Sequence, residues 1–287
     1  MKILLTGSSG QVGHELERSL QGLGEVVALD RHRMDLSDLD QVRDVVRTLR
    51  PGLIVNPAAY TAVDRAESEP DLARRINADA PGVMAIEAHR LGAAMVHYST
   101  DYVFDGAKAG PYVETDPTGP LNVYGCSKLA GEQAIAASGV RHLILRTSWV
   151  YGMRGKNFLL TMMRLSRERE QLRVVGDQHG APTWSRTIAD TTALILAQAR
   201  CRGEGWWEEN SGVYHLTAQG RTSWCGFTEA IVAATGASCS VTPIASADYP
   251  VAATRPANSV LCSDKLVQRF CRLPAWNEAL SLCIQSE

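Results

Sequence analysis

The chain has 287 residues, 45% of them hydrophobic, enough to bury most of the surface that an unfolded chain exposes. Its 29 basic and 31 acidic residues are interspersed to a formal net charge of -2, so neither nucleic acid nor a membrane is expected as a partner. Seven scattered cysteines without a CxxC pair exclude a disulfide framework and a zinc site as expectations, and point to a reducing compartment. The opening MKILLTGSSG is too short an apolar run for a signal peptide, and the chain is expected in the cytoplasm.

Short apolar runs alternate with helical patterns from the start: a strand at Ile3 to Leu5, a helix at Val12 to Leu23, a strand at Val26 to Leu29. That alternation predicts an α/β fold, a Rossmann-type doubly wound parallel sheet. Ser37 with Asp40 resembles a capping box, and Pro51-Gly52 marks the end of the helix it would start. A strand at Leu53 to Val55, a helix at Leu72 to Leu91 and a strand at Met95 to Tyr98 follow. Asp105 to Pro120 is rich in Gly, Pro and Asp and reads as a surface loop of the kind that lies over a site. A helix at Tyr124 to Ala137 and a strand at His142 to Leu145 complete the regular part.

Beyond Gly152 the rhythm loosens, with helices at Phe158 to Arg169 and Ile188 to Arg200, a strand at Val213 to Leu216, and a loop-like stretch at Pro243 to Pro256. The expected organisation is a mainly dinucleotide-binding region at 1–151. A smaller C-terminal substrate-binding lobe at 152–287 is interleaved with the last sheet strands.

Three features carry chemistry. Gly7, Gly10 and Gly13 fall between the first strand and the first helix, where glycine lets the backbone approach a diphosphate at the helix N-terminus. Asp30 closes the second strand, placed to accept from an adenosine ribose or to be an ordinary turn aspartate. Arg31 and Arg33 would instead attract a 2′-phosphate, so NADH and NADPH both stay open. Asp35 and Leu36 fall where an adenine pocket would form.

Tyr124 and Lys128 share one helix face, about 5 to 6 Å apart at Cβ. An ammonium there is expected to lower the phenol's pKa, making Tyr124 a proton donor for a carbonyl being reduced. Ser99-Thr100, at the end of a strand, supplies a hydroxyl.

Taken with Val55 to Asp64, Tyr98 to Phe104, Pro120 to Gly125, Arg146 to Tyr151, Gly180 to Thr183 and Arg255 to Ser259, these blocks resemble the dTDP-4-dehydrorhamnose reductases of the extended short-chain dehydrogenases. The resemblance implies NAD(P)H-dependent reduction of a 4-keto deoxysugar nucleotide, feeding surface polysaccharide. It implies Thr100, Tyr124 and Lys128 as the catalytic triad. Gly7, Gly10, Gln11, Val12, Gly13, Asp30, Asp35, Leu36, Ala58, Ala59, Tyr60, Thr61, Tyr124 and Lys128 would contact the cofactor, NADPH or NADH. Thr100, Asp101, Tyr102, Trp149, Asn157 and Arg255 would contact the sugar nucleotide, although Trp149 read alone is a core aromatic and Asn157 and Arg255 fit structural hydrogen bonding equally.

Some members of the family dimerise around magnesium held by glutamates. Here Glu15 is in register but the later position is Arg186, so no metal site is expected, and a monomer or weak homodimer is. Two other functions compete: a nucleotide-sugar 4-epimerase using the same Thr-Tyr-Lys logic, and a cofactor-binding regulatory subunit without turnover.

Overall fold

Ile3 and Leu5 point to one side of the first strand and Leu4 to the other, and all three are fully buried. A strand apolar on both faces needs cover on both, which a sheet gains when crossover helices return over each face in turn. The computed structural model, which describes residues 1–203 and 205–285, shows this arrangement. A six-stranded sheet runs Gly212–His215, Arg141–Thr147, Ala94–Thr100, Leu53–Asn56, Lys2–Leu5, Glu25–Ala28 across its width, with every neighbouring pair parallel.

One face packs Leu5, Val55, Val96 and Leu145 against Leu16 of the helix Gln11–Ser19 and Ile188 and Ile195 of the helix Ser185–Arg202. The other packs Leu4, Ile54, Met95 and Ile144 against Val42 and Val46 of the helix Leu39–Leu49 and Met84 and Ala85 of the helix Ala80–Arg90. A third core, around Tyr151, Leu159, Phe227, Ile231 and Leu280, lies in the later part of the chain. The sheet's last strand and the helix Ser185–Arg202 also come from that part, so the chain leaves the sheet and returns to it. No helix among the described residues is long and apolar enough to cross a membrane.

Strand order reverses between Lys2–Leu5 and Leu53–Asn56, and at such a switch point a crevice opens beyond the strands' carboxyl ends.

Two expectations need correction. The second helix is capped by Asp38, whose side chain accepts from the N–H groups of Asp40 and Gln41, while the Ser37 hydroxyl donates to Asp35. The single helix expected over Leu72 to Leu91 is Pro70–Arg74 and Ala80–Arg90 joined by a π-turn, Arg75–Asp79. The segment from Asp105 to Pro120 is an irregular and largely exposed loop, as expected, anchored at Tyr112, which is buried, stacks on Phe104 at 4.2 Å, and exchanges backbone hydrogen bonds with Val260 and Cys262.

Candidate active site

A cleft of about 570 Å³ opens at the switch point. Gly7, Gly10, Gln11, Val12 and Gly13 line one wall, Asp35, Leu36, Ala58, Ala59, Tyr60 and Thr61 line another, and Tyr124 and Lys128 close the inner end. Every residue expected at a cofactor therefore reaches this cleft except Asp30. The Oδ1 of Asp30 accepts from the N–H groups of His32 and Arg33, holding the turn that follows the second strand. Arg31, by contrast, lines the cleft, paired with Asp35 at 3.6 Å, while Arg33 does not.

The glycines are required by contact. Gly7 has φ +57°, and a Cβ on Gly13 would sit 2.1 Å from the Gly7 carbonyl oxygen. The helix Gln11–Ser19 opens on Gly10 with no side-chain cap, leaving its first N–H groups for a ligand at the positive end of the dipole. The residues present fit a dinucleotide diphosphate.

The helix Val123–Ala137 starts where Asn122 accepts from Gly125 N–H, and its first turn carries Tyr124 to the cleft. Gly125 and Gly131 let that helix approach closely: Cβ atoms there would lie 2.2 Å from the Tyr102 carbonyl and 2.1 Å from the Asn77 carbonyl. Thr100 is buried outside the lining but hydrogen-bonds the Tyr124 phenol, and its hydroxyl donates to Asp101 at 2.9 Å. The Tyr102 ring stands edge-on to the Tyr124 ring at 5.9 Å.

Electrostatics depart from expectation. Burial pushes the Tyr124 phenol up to about 12, with Thr100 pulling down and Asp101 pushing up. Lys128 does not act to lower it. Burial brings the lysine itself down to about 8, against the pull of Glu132. Its Nζ donates to the Tyr98 carbonyl at 2.6 Å and lies 3.1 Å from His97 Nε2, turned toward the protein. Tyr124 at neutral pH is thus firmly protonated, a proton donor rather than a phenolate.

With that geometry in place, the comparisons are specific. A family model described as RmlD substrate binding domain matches residues 1–287. A dTDP-4-dehydrorhamnose reductase of Burkholderia thailandensis is 52% identical, over 99% of this chain and 98% of its own length. The chain belongs to the RmlD family. Among solved structures, a dTDP-4-dehydrorhamnose reductase from Clostridium acetobutylicum superposes with a TM-score of 0.93 at 36% identity, covering 100% of this chain and 99% of that one. One from Bacillus anthracis, in complex with NADP, superposes with a TM-score of 0.92 at 34% identity and the same coverage.

In this RmlD-family chain the residues expected at the sugar nucleotide lie outside the cleft lining. Asp101 is buried, and burial raises its carboxyl to about 6 against hydrogen bonds from Ser259 and Thr100. Trp149, at φ 47°, stacks on Trp224 at 3.4 Å and leaves room only for glycine at position 180. Asn157 caps the helix Phe158–Glu168 and donates to Gln11 Oε1 at 2.9 Å, tying that helix to the glycine loop. Arg255 pairs with Asp64 at 2.7 Å. Glu15 pairs with Arg186 at 3.5 Å, and Arg186 also lies over the Trp184 ring.

Sequence reasoning missed Thr147 and Lys156, which line the cleft, and Asn77, which holds its wall. Asn77 accepts from Tyr60 N–H at 2.8 Å and donates to Ser127 Oγ at 2.9 Å, joining the 58–61 wall to the helix of Tyr124. Nothing in its local sequence marks it. Of the Ser99-Thr100 pair offered as the hydroxyl, Ser99 lines the cleft and Thr100 does not, since alternate residues of a strand face opposite ways.

Proposed function

We propose that this chain reduces the C4 keto group of dTDP-4-dehydro-L-rhamnose to give dTDP-L-rhamnose, in nucleotide-sugar biosynthesis for surface polysaccharide, using NADPH. The observation that carries this reading is the meeting of the glycine loop and the Tyr124–Lys128 pair in one cleft, in a chain 52% identical to a reductase so named.

The cofactor supplies the hydride. Thr100, Tyr124 and Lys128 are the proposed catalytic group. Tyr124, protonated because burial holds its phenol at about 12, gives its proton to the oxygen that gains charge as the carbonyl is reduced. Thr100 holds the phenol in place through their hydrogen bond. Lys128, charged below about pH 8, presents a positive charge to the inner end of the cleft where a nicotinamide ribose would lie. Arg31 at the outer wall favours a 2′-phosphate, hence NADPH, with NADH accepted more weakly. Asp30 and the sugar-nucleotide contacts Asp101, Tyr102, Trp149, Asn157 and Arg255 remain part of the proposal, to be reached on substrate binding. Residues 1–151 would mainly bind the dinucleotide and 152–287 the sugar nucleotide.

Purified protein mixed with dTDP-4-dehydro-L-rhamnose should oxidise NADPH, and Tyr124→Phe should lower kcat by about 10² to 10⁴ while NADPH still binds. A fully active Tyr124→Phe would remove the tyrosine from the chemistry.

A further inference from the structure

Behind Lys128 lies a line of polar side chains that the reduction itself does not use. Lys128 Nζ is 3.1 Å from His97 Nε2, His97 Nδ1 is 3.0 Å from the Asn56 amide nitrogen, and Asn56 Oδ1 is 2.6 Å from Thr6 Oγ1. Thr6 Oγ1 in turn accepts from Ala58 N–H at 3.4 Å. These four side chains are 2%, 0%, 0% and 1% exposed. A polar chain so deep in a sheet persists only where its members satisfy one another.

We infer that His97 is a positioning residue for Lys128: a neutral imidazole whose tautomer follows the charge of the lysine, linking it through Asn56 and Thr6 to the wall of the cleft. An ammonium has three hydrogens and no lone pair. Tyr98 carbonyl takes one, His97 Nε2 takes a second, and one is left for the cleft that Lys128 lines. Nδ1 then carries the imidazole hydrogen, and a half-turn of the Asn56 amide presents its oxygen to it and its NH2 to Thr6. The arrangement in this structure, with the Asn56 nitrogen toward Nδ1, suits the other state: Nδ1 accepts, and Nε2–H donates to an uncharged lysine amine. Both states keep the contacts of Lys128, His97 and Asn56, with Thr6 turning from donor to acceptor toward Asn56, and they differ by one proton on Lys128.

The surroundings leave His97 neutral in both, since burial and the Lys128 charge hold its pKa well below the ordinary value. The charged or titratable groups facing Lys128 are Glu132, one turn along and paired with Arg146 at 2.7 Å, and Tyr124, one turn before. From the neighbouring strand come His97 and the Tyr98 carbonyl, while Asp101 acts on Tyr124. None of these replaces the Nε2 lone pair.

The inference rests on the reductase reading only for its kinetic arm. In protein labelled with 15N-histidine, NMR titration through about pH 8, where Lys128 titrates, should show His97 neutral throughout. Nε2 should be the bare nitrogen below that pH and Nδ1 above it, and Lys128→Met should abolish the change. A cationic His97 at neutral pH, or a tautomer indifferent to both pH and Lys128→Met, would overturn the inference whether or not the protein turns over.

In the kinetic arm, His97→Leu should lower kcat by about tenfold to a hundredfold, less than loss of the proton donor. It should move the alkaline limb down by about one pH unit, as expected for loss of a hydrogen bond to a charged group. His97→Gln, which keeps an acceptor near the Nε2 position, should restore the limb. An alkaline limb unmoved in His97→Leu would also overturn the inference, and wild-type protein without NADPH oxidation would count against the reductase reading alone.

Discussion

Asp101 carries a conflict between stability and function that can be measured. Its carboxyl is raised from 3.8 to about 6, chiefly by burial. Below about pH 4 native and unfolded chains both hold the proton, and burial carries no charge penalty. Between about pH 4 and 6 the unfolded chain ionises first, so stability falls as pH rises, and above that range the full penalty is present. Two units correspond to about 3 kcal/mol at most. Asp101→Asn should therefore melt higher than wild type at neutral pH, with the gap closing below about pH 4, as calorimetry across that range would show. A second residue, Arg31, is 74% exposed at its side chain, so its effect should be small. Arg31→Ala should raise KM for NADPH roughly fivefold with little change for NADH.

The same scale shows what the sequence conveys. Tyr124, Lys128 and the glycines are legible because helix spacing and a strand-to-helix turn fix their placement. The residue types of Asn157 and Arg255 fit two roles, and only the contacts separate them: one is a helix cap, the other an ion-pair strut in this structure. His97 shows in the sequence only as a polar residue within an apolar strand, and its partners Lys128 and Asn56 are 31 and 41 residues away.

Among the elements, the turn from first strand to first helix tolerates least. A Cβ on Gly13 would meet backbone, which cannot yield as a flexible side chain would. Gly13→Ala should cost about 2 kcal/mol or more and abolish NADPH binding, measured by denaturant unfolding and by fluorescence titration. The π-turn Arg75–Asp79 is the element that sequence periodicity hides, because one extra residue within a helix barely disturbs the apolar pattern. It carries Asn77, whose side chain ties Tyr60 to Ser127. Asn77→Ala leaves both partners short of a hydrogen bond, and should weaken NADPH binding and lower stability by about 1 to 3 kcal/mol together. The cap at Asp38 instead of Ser37 is a smaller error of the same origin, since adjacent capping residue types compete and only backbone geometry decides.

At the scale of the molecule, the alternation of short apolar runs and helical patterns conveyed the doubly wound sheet, since both faces of every inner strand are apolar. The return of Gly212–His215 to the sheet edge is foreshadowed only by a weak strand pattern, because its partner Arg141–Thr147 lies about seventy residues earlier.

The central claim is that hydride passes to C4 of the sugar while Tyr124 gives the proton. The most direct test uses NADPH carrying deuterium at its transferable position, with dTDP-4-dehydro-L-rhamnose and mass spectrometry plus proton NMR of the product. Expected is one deuterium at C4 of the product for each NADPH oxidised, with labelled product forming about 10² to 10⁴ times more slowly when Tyr124→Phe is used. NADPH left unconsumed with no labelled product from this ketone, while a 4-hydroxy nucleotide sugar is inverted at C4 with no net change in cofactor, would contradict the reductase and leave an epimerase in its place.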